Sequence, residues 1–413
     1  MKSEEIQIEN KTMEIQLCTH SDNLLIYKVK SSGKTYSLTV PTVEIDGKDM
    51  LLQLADIRMA SDPISLRNGS TEYRLEGVSI LDDALTLGIT LRVAPDNPVV
   101  RFQYQIWSRS GQKLTKSSGK DRLCYFKLSF AEFPQVKEVR FSEFIDMVHS
   151  FCLSELPLRP KDFINERNVM GPMLVGTDGN HSLLAAYEHG SQVPDAFIEF
   201  RLLPNREALL SAVKGNYLNR QSLNKERVFE TVWFELAAIE GNEDQLAEHY
   251  RRFILEDMSN NLESRKPYIF YNTWNLQERT KHWYKGKFLD AMNQARVLQE
   301  IETAHEMGVE VFVIDAGWFE KTGDWRVSQA RFPDGMRVVK ERLDAYGMKL
   351  GLWFEPTSAA LSSQMAKKCS NDIMARGGSL VTPRPVWETE DSYYMCLVSD
   401  YADAFADELI RWD

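Results

Sequence analysis

Two periods of hydrophobic patterning divide the chain. In Val100–Trp107 the apolar residues Val100, Phe102, Tyr104 and Ile106 alternate with Arg101, Gln103 and Gln105, the period of a half-buried strand. Leu24–Val29 and Tyr36–Val40 flank Ser-Ser-Gly-Lys, a hairpin signal in which Gly33 supplies positive φ. Comparable runs recur at Leu183–Tyr187, Phe197–Leu202 and Val228–Ile239. Many such strands separated by polar turns predict a large antiparallel β-sandwich over residues 1–262. Near its end Asn242 and Gln245 have the spacing of a capping box. Leu246, Tyr250, Phe253 and Ile254 then follow at helical spacing, which predicts a helix to about Asp257. The polar stretch after it, ending in Pro267, reads as a linker.

Over residues 263–413 the order becomes strand, helix, strand, helix. Tyr268–Trp274 is a short aromatic strand, Asp290–Met307 a helix stopped by Gly308, and Val309–Ile314 a continuous apolar strand of the kind buried on both faces. Met336–Tyr346 is the next helix, closed by Gly347, and Met348–Phe354 the third strand. The segment QERTKHWYKGK, with His282, reads as a solvated loop. Repeated βα units mean a doubly wound sheet or a (β/α)8 barrel.

Polar and aromatic residues collect after every strand: Asn272, Trp274 and Asn275, then Asp315 and Trp318, then Trp353 and Glu355. In a barrel that end carries the active site. Alone, an aspartate there is as well explained as a turn former, and a tryptophan as core. Their recurrence at three successive strand ends points to a site. Carboxylates beside tryptophans suit a sugar, whose hydroxyls need fixed acceptors and whose C–H face packs on an aromatic plane. Asp315 is the expected hydroxyl acceptor, and Trp274, Trp318, Trp325 and Trp353 the expected walls.

Composition narrows the classes. Acidic residues outnumber basic ones 60 to 49, which argues against nucleic acid as the main partner. The first residues hold no apolar run long enough for a signal peptide or a membrane span. Five scattered cysteines without a CxxC read as reduced thiols of a cytoplasmic protein. Seven dispersed histidines without HExxH, and the lack of Walker, GxSxG and GxGxxG motifs, leave metal, nucleotide and serine-hydrolase chemistry without support.

The stretches YNTW, VFVIDAGWF, GDWRVSQARFPDGM and AYGMKLGLWFEP resemble the first three strand ends of the melibiase-like α-galactosidases, glycoside hydrolase family 36 of clan D. CLVSDYADAFADELI is similar to that family's third barrel helix. The likeness runs over Tyr268–Ile410; the sandwich region is similar in position and length only. The resemblance implies a multidomain protein with an N-terminal β-sandwich and an incomplete (β/α)8 barrel of about three βα units. It implies a retaining hydrolase acting on terminal α-linked galactose of oligosaccharides. One aspartate would be nucleophile and a second acid/base, about 5 Å apart, with no metal or organic cofactor. Asp315 would bind galactose, with Trp274 and Trp353 as walls, and the protein would be a homo-oligomer. Two departures stand out: Ala316 replaces the second of two adjacent aspartates, and Thr357 a glutamate.

The chain closes on Arg411-Trp412-Asp413, which matches the family's Lys-x-Asp nucleophile motif only loosely. Tyr401, Phe405 and Leu409, with Ala402, Ala406 and Ile410, recur every four residues behind Asp400, a candidate N-cap. No turn separates that helix from Trp412. The expectation is that Asp413 lies in or just beyond a helix, before a fourth strand, with Asp413 as nucleophile the alternative. On the first reading the chain is a fragment that lacks both catalytic carboxylates, is inactive as given and is poorly soluble. Other readings left open are a related α-glycosidase, a galactosyl transferase, or a non-catalytic sugar-binding protein.

Overall fold

The computed structural model describes residues 6–145, 150–189, 196–258 and 261–412. The chain divides into two compact units, Met1–Leu262 and Glu263–Asp413.

The first unit is antiparallel β-structure in sheets of four, eleven and eight strands among the described residues. The alternation of Val100–Ser108 places Val100, Phe102, Tyr104 and Ile106 at 1% exposure or less, in a core shared by the strands of all three sheets. The Ser-Ser-Gly-Lys turn joins Asn23–Val29 to Thr35–Thr39, with Gly33 at φ 73°. Tyr27 reaches across that core and donates its hydroxyl to the carbonyls of Pro98 and Ala238. Val228–Ile239 is two strands, Phe229–Glu230 and Phe234–Glu240, because the register against Val100–Ser108 shifts by one residue between them: Ile106 faces Phe229 but Phe102 faces Phe234. The capping box forms as expected: Asn242 Oδ1 accepts from Gln245 N, and Gln245 Oε1 accepts from Asn242 N. The helix Glu243–Arg252 continues as a wider π turn, Phe253–Met258.

The second unit contains three parallel strands, β1 (Phe270–Asn272), β2 (Val311–Ile314) and β3 (Lys349–Leu352), in that spatial order. Helices α1 (Trp274–His282), α2 (Gln294–Glu306) and α3 (Gly335–Ala345) connect them. This is the expected partial barrel. Beyond β3 come a short helix α4 (Gln364–Lys368), an antiparallel ribbon pairing Ser358–Ala360, Asp391–Tyr394 and Arg384–Pro385, and helix α5 (Tyr401–Ile410).

Three details differ from the sequence reading. The QERTKHWYKGK segment is largely the helix α1, not a loop. Only Gln277 of α1 is buried, so no apolar period marks it. Strand β2 is buried on one face only: Phe312 and Ile314 are enclosed, while Val311 and Val313 are half-buried on the other side of the sheet. Helix α5 is present, but Asp400 makes no side-chain cap bond because it is itself in the helical region, at φ −59° and ψ −17°. Asp413 lies outside the described residues.

Candidate functional site

The carboxyl ends of β1, β2 and β3 are knotted together by short polar bonds. Parallel register sets Asn272 beside Val313 and Ile314 beside Leu352. Asp315 and Trp353, one residue further along each strand, therefore share a row, and Trp353 N donates to Ile314 O at 3.0 Å. Thr273 accepts Asp315 N at 2.9 Å, and Gln277, fully buried on α1, donates to Ala316 O at 2.8 Å. The first turn of α1 is thus fastened to the exit of β2.

Asp315 is 6% exposed. Its two oxygens are held separately: Oδ2 accepts from Asn272 Nδ2 at 2.9 Å and Oδ1 from Ala316 N at 2.7 Å. Burial raises its pKa above the usual aspartate value, and the bonds from Ala316 and Asn272 only partly offset that. Asn272 in turn accepts Trp274 N at 2.7 Å, an Asx-type start for α1. The carboxylate is a fixed acceptor, aimed and rigid. Gly317 permits the sharp exit of the strand: it sits at φ 100°, and a Cβ there would lie 2.7 Å from Leu289 Cδ2.

The expected walls separate into two groups. Trp353 is half-buried and packs on Phe319 with ring centroids 6.3 Å apart. Trp274 is half-buried too, at the start of α1 rather than on the strand, and stacks on Phe288 at 5.1 Å. Trp318 and Trp325 are different. Both are 0% exposed, packed with Phe319, Phe354 and Phe405 in the unit's core. Trp318 spends its indole N–H on Trp353 O, and Trp412 donates to Trp325 O. An enclosed indole offers no face to a sugar ring, so these two are corrected from walls to core. Glu355 is half-buried and accepts from the backbone and hydroxyl of Thr357, a turn-holding role.

The sequence reading missed Trp387. The loop between Arg384–Pro385 and Asp391–Tyr394 brings its ring to 4.4 Å from Trp274 and 5.5 Å from Phe288. Trp387 and Glu388 both have positive φ, 45° and 67°. Glu388 is pinned there by Lys281 of α1 at 2.8 Å. Two adjacent non-glycine residues in that region are a strained turn, of the kind that concentrates at functional rims. No local period announced it.

The melibiase family model matches residues 229–382. The α-galactosidase of Escherichia coli is 26% identical over 143 residues, 33% of this chain and 19% of that protein. α-Galactosidase Mel36A of Lactobacillus acidophilus is 32% identical over 89 residues, 20% of this chain and 12% of that protein. Among solved structures, the family 36 α-galactosidase AgaB of Geobacillus stearothermophilus superposes with a TM-score of 0.67 at 13% identity, over 99% of this chain and 63% of that one. A variant of AgaA from the same organism, in complex with raffinose, gives 0.65 at 11% identity, over 98% of this chain and 63% of that one. The fold is therefore that of the N-terminal sandwich and partial barrel of these enzymes. Over residues 229–382 the chain is thus similar to the melibiases, in its fold it is similar to α-galactosidases, and it spans 63% of the length of those solved relatives. No helix among the described residues is long and apolar enough to cross a membrane.

Proposed function

We propose that the strand-end cluster is the galactose-holding part of a retaining α-galactosidase site, with the terminal α-linked galactose of an oligosaccharide as substrate. The observation that carries this is Asp315, a carboxylate fixed from both sides in the same row as Trp353. Complexes of structural relatives with raffinose and stachyose support the substrate class. Asp315 would accept hydroxyl protons of the sugar, while Trp353 and the Trp274 cluster would close its apolar face.

The two-carboxylate displacement needs a nucleophile and an acid/base about 5 Å apart, and proceeds through a covalent glycosyl intermediate. Neither described strand-end carboxylate suits a bond-breaking role, since Asp315 is engaged at both oxygens and Glu355 holds Thr357. We assign the 413-residue chain by itself sugar binding without turnover. A second reading, a related α-glycosidase or a galactosyl transferase, draws on Ala316, fully buried where an aspartate would add a second acceptor. A cytoplasmic homo-oligomer remains part of the proposal.

The test is calorimetric titration of the chain with galactose and raffinose, beside an assay on a nitrophenyl α-galactoside. Saturable binding that Asp315→Ala weakens at least tenfold, with no turnover, is the expected result. Binding indifferent to Asp315, or turnover near that of an intact enzyme, would overturn the reading.

A further inference from the structure

A polar cleft lies in the first unit, on the face of the eleven-stranded sheet that points away from its aromatic core. Alternation sends Arg101, Gln103, Gln105 and Trp107 to that face, and register aligns them with Arg92, Thr90, Gly88 and Thr86 of Leu85–Val93. The next strand, Thr71–Val78, adds Glu72, Arg74 and Glu76 opposite Arg92, Thr90 and Gly88. An ordinary outward face would leave these residues in water. Here Glu72 is 2% exposed and Thr90 and Gln103 are 8% exposed, on the floor of a cleft of about 590 Å³. That volume is within the range of small-ligand sites.

The floor is built of oriented, interlocked groups. Glu72 takes Arg74 at 2.7 Å and Arg92 at 2.8 Å. Burial raises its pKa, but the bonds from both guanidiniums outweigh that and hold it below the usual range, so it is a carboxylate at neutral pH. Arg92 also lies 4.5 Å over Trp233, whose ring Arg101 approaches at 4.2 Å. Gln103 is anchored by donating to Thr231 O at 2.8 Å. Gln105 bonds Gln103, Thr90 and Glu230, each at 3.3 Å, long for such bonds and open to exchange with a ligand's hydroxyls. Beside them Gly88 leaves room for an aromatic plane, since a Cβ there would lie 2.8 Å from Trp107 Cζ3.

Three acids, Glu72, Glu76 and Glu230, and two bases, Arg74 and Arg92, line the cleft, so opposite charges nearly cancel. A charged ligand would find little net charge there to attract it. A neutral, polyhydroxylated one would find donors and acceptors at fixed spacing and an indole beside them. We propose that this cleft is a second carbohydrate site, taking a neutral oligosaccharide against Trp107 and the Gln103–Gln105 pair. It stands independently of the Asp315 site.

The experiment titrates the full 413-residue chain with stachyose, maltotetraose and cellotetraose at millimolar concentration, by calorimetry and ligand-observed NMR. At least one should bind saturably. Trp107→Ala and Gln105→Ala should each weaken it tenfold or more, and Trp107→Phe should restore part of the loss. Asp315→Ala should leave this binding in place, which separates it from sugar held at the strand ends. Gln105→Ala removes a half-buried surface side chain, so it tests the cleft even if Trp107→Ala folds poorly. Lack of saturable binding by all three sugars, or binding unaffected by Gln105→Ala and Trp107→Phe alike, overturns the proposal.

Discussion

Replacing Asn272 by alanine should cost the second unit about 2–4 kcal/mol at neutral pH. The side chain does two jobs: Nδ2 donates to the buried Asp315 carboxylate at 2.9 Å and Oδ1 accepts Trp274 N at 2.7 Å. A hydrogen bond to a charged group contributes about 1.5–3 kcal/mol. Losing a cap at a helix start costs about 0.5–2 kcal/mol. The two share one side chain and will not add fully. The penalty should also depend on pH, because Asp315 already has a folded-state pKa raised above its ordinary 3.8 by burial. A group raised in this way contributes stability that is fully present below the unfolded value and lost as pH rises through the folded one. Removing Asn272 takes away one of the bonds that lower the value, so the folded pKa rises further and the loss extends to higher pH. The penalty is therefore larger at pH 7 than at pH 4. Urea unfolding followed by tryptophan fluorescence suits the measurement, since only Trp107 and Trp233 of the nine tryptophans lie in the first unit. A penalty below about 1 kcal/mol, or one of equal size at both pH values, would refute the account of how Asp315 is held.

Further outcomes follow from other contacts. Gly317→Ala should destabilise the second unit by about 2–4 kcal/mol, combining about 1–2 for a left-handed side chain with overpacking against Leu289, as the same urea titration would show. Trp387→Ala should cost only about 0.5–1.5 kcal/mol of aromatic stacking, yet weaken any sugar binding at the strand ends by loosening Trp274, which calorimetry resolves. Glu235, buried beside Glu188 and bonded by Tyr250, has its pKa pushed up from 4.5, chiefly by burial. Its contribution to stability is present below pH 4.5 and lost as pH rises through the folded value. Glu235→Gln should flatten that slope and raise the first unit's stability at alkaline pH, read from melting temperatures across the pH range.

What the sequence discloses follows its locality. The Val100–Ser108 alternation and the Asn242–Gln245 box were legible because each is settled within a few residues. The three strand ends were legible because the βα order aligns them. Helix α1 was not, since its start depends on Asn272 and its packing on Gln277 rather than on an apolar stripe. Trp318 and Trp325 share their letters with Trp353, but their depth is set by contacts with Trp412 and Phe405, far along the chain. Trp387 reaches the rim through a loop whose two positive-φ residues lack the glycine that would signal it. Gln103 and Gln105 read only as the polar positions of a half-buried strand; the neighbouring strands reveal them as part of a cleft.

The pairing of Trp274 with Trp387 has an optical consequence. Indoles whose centroids are 4.4 Å apart and whose planes are inclined by 58° are close enough for their excited states to mix. Such a pair gives a two-signed band in far-ultraviolet circular dichroism that isolated tryptophans lack. The strained turn at Trp387 thereby carries its own position sensor, readable without a label. Any event that lifts this loop from the start of α1 should erase the band while the rest of the spectrum stays unchanged.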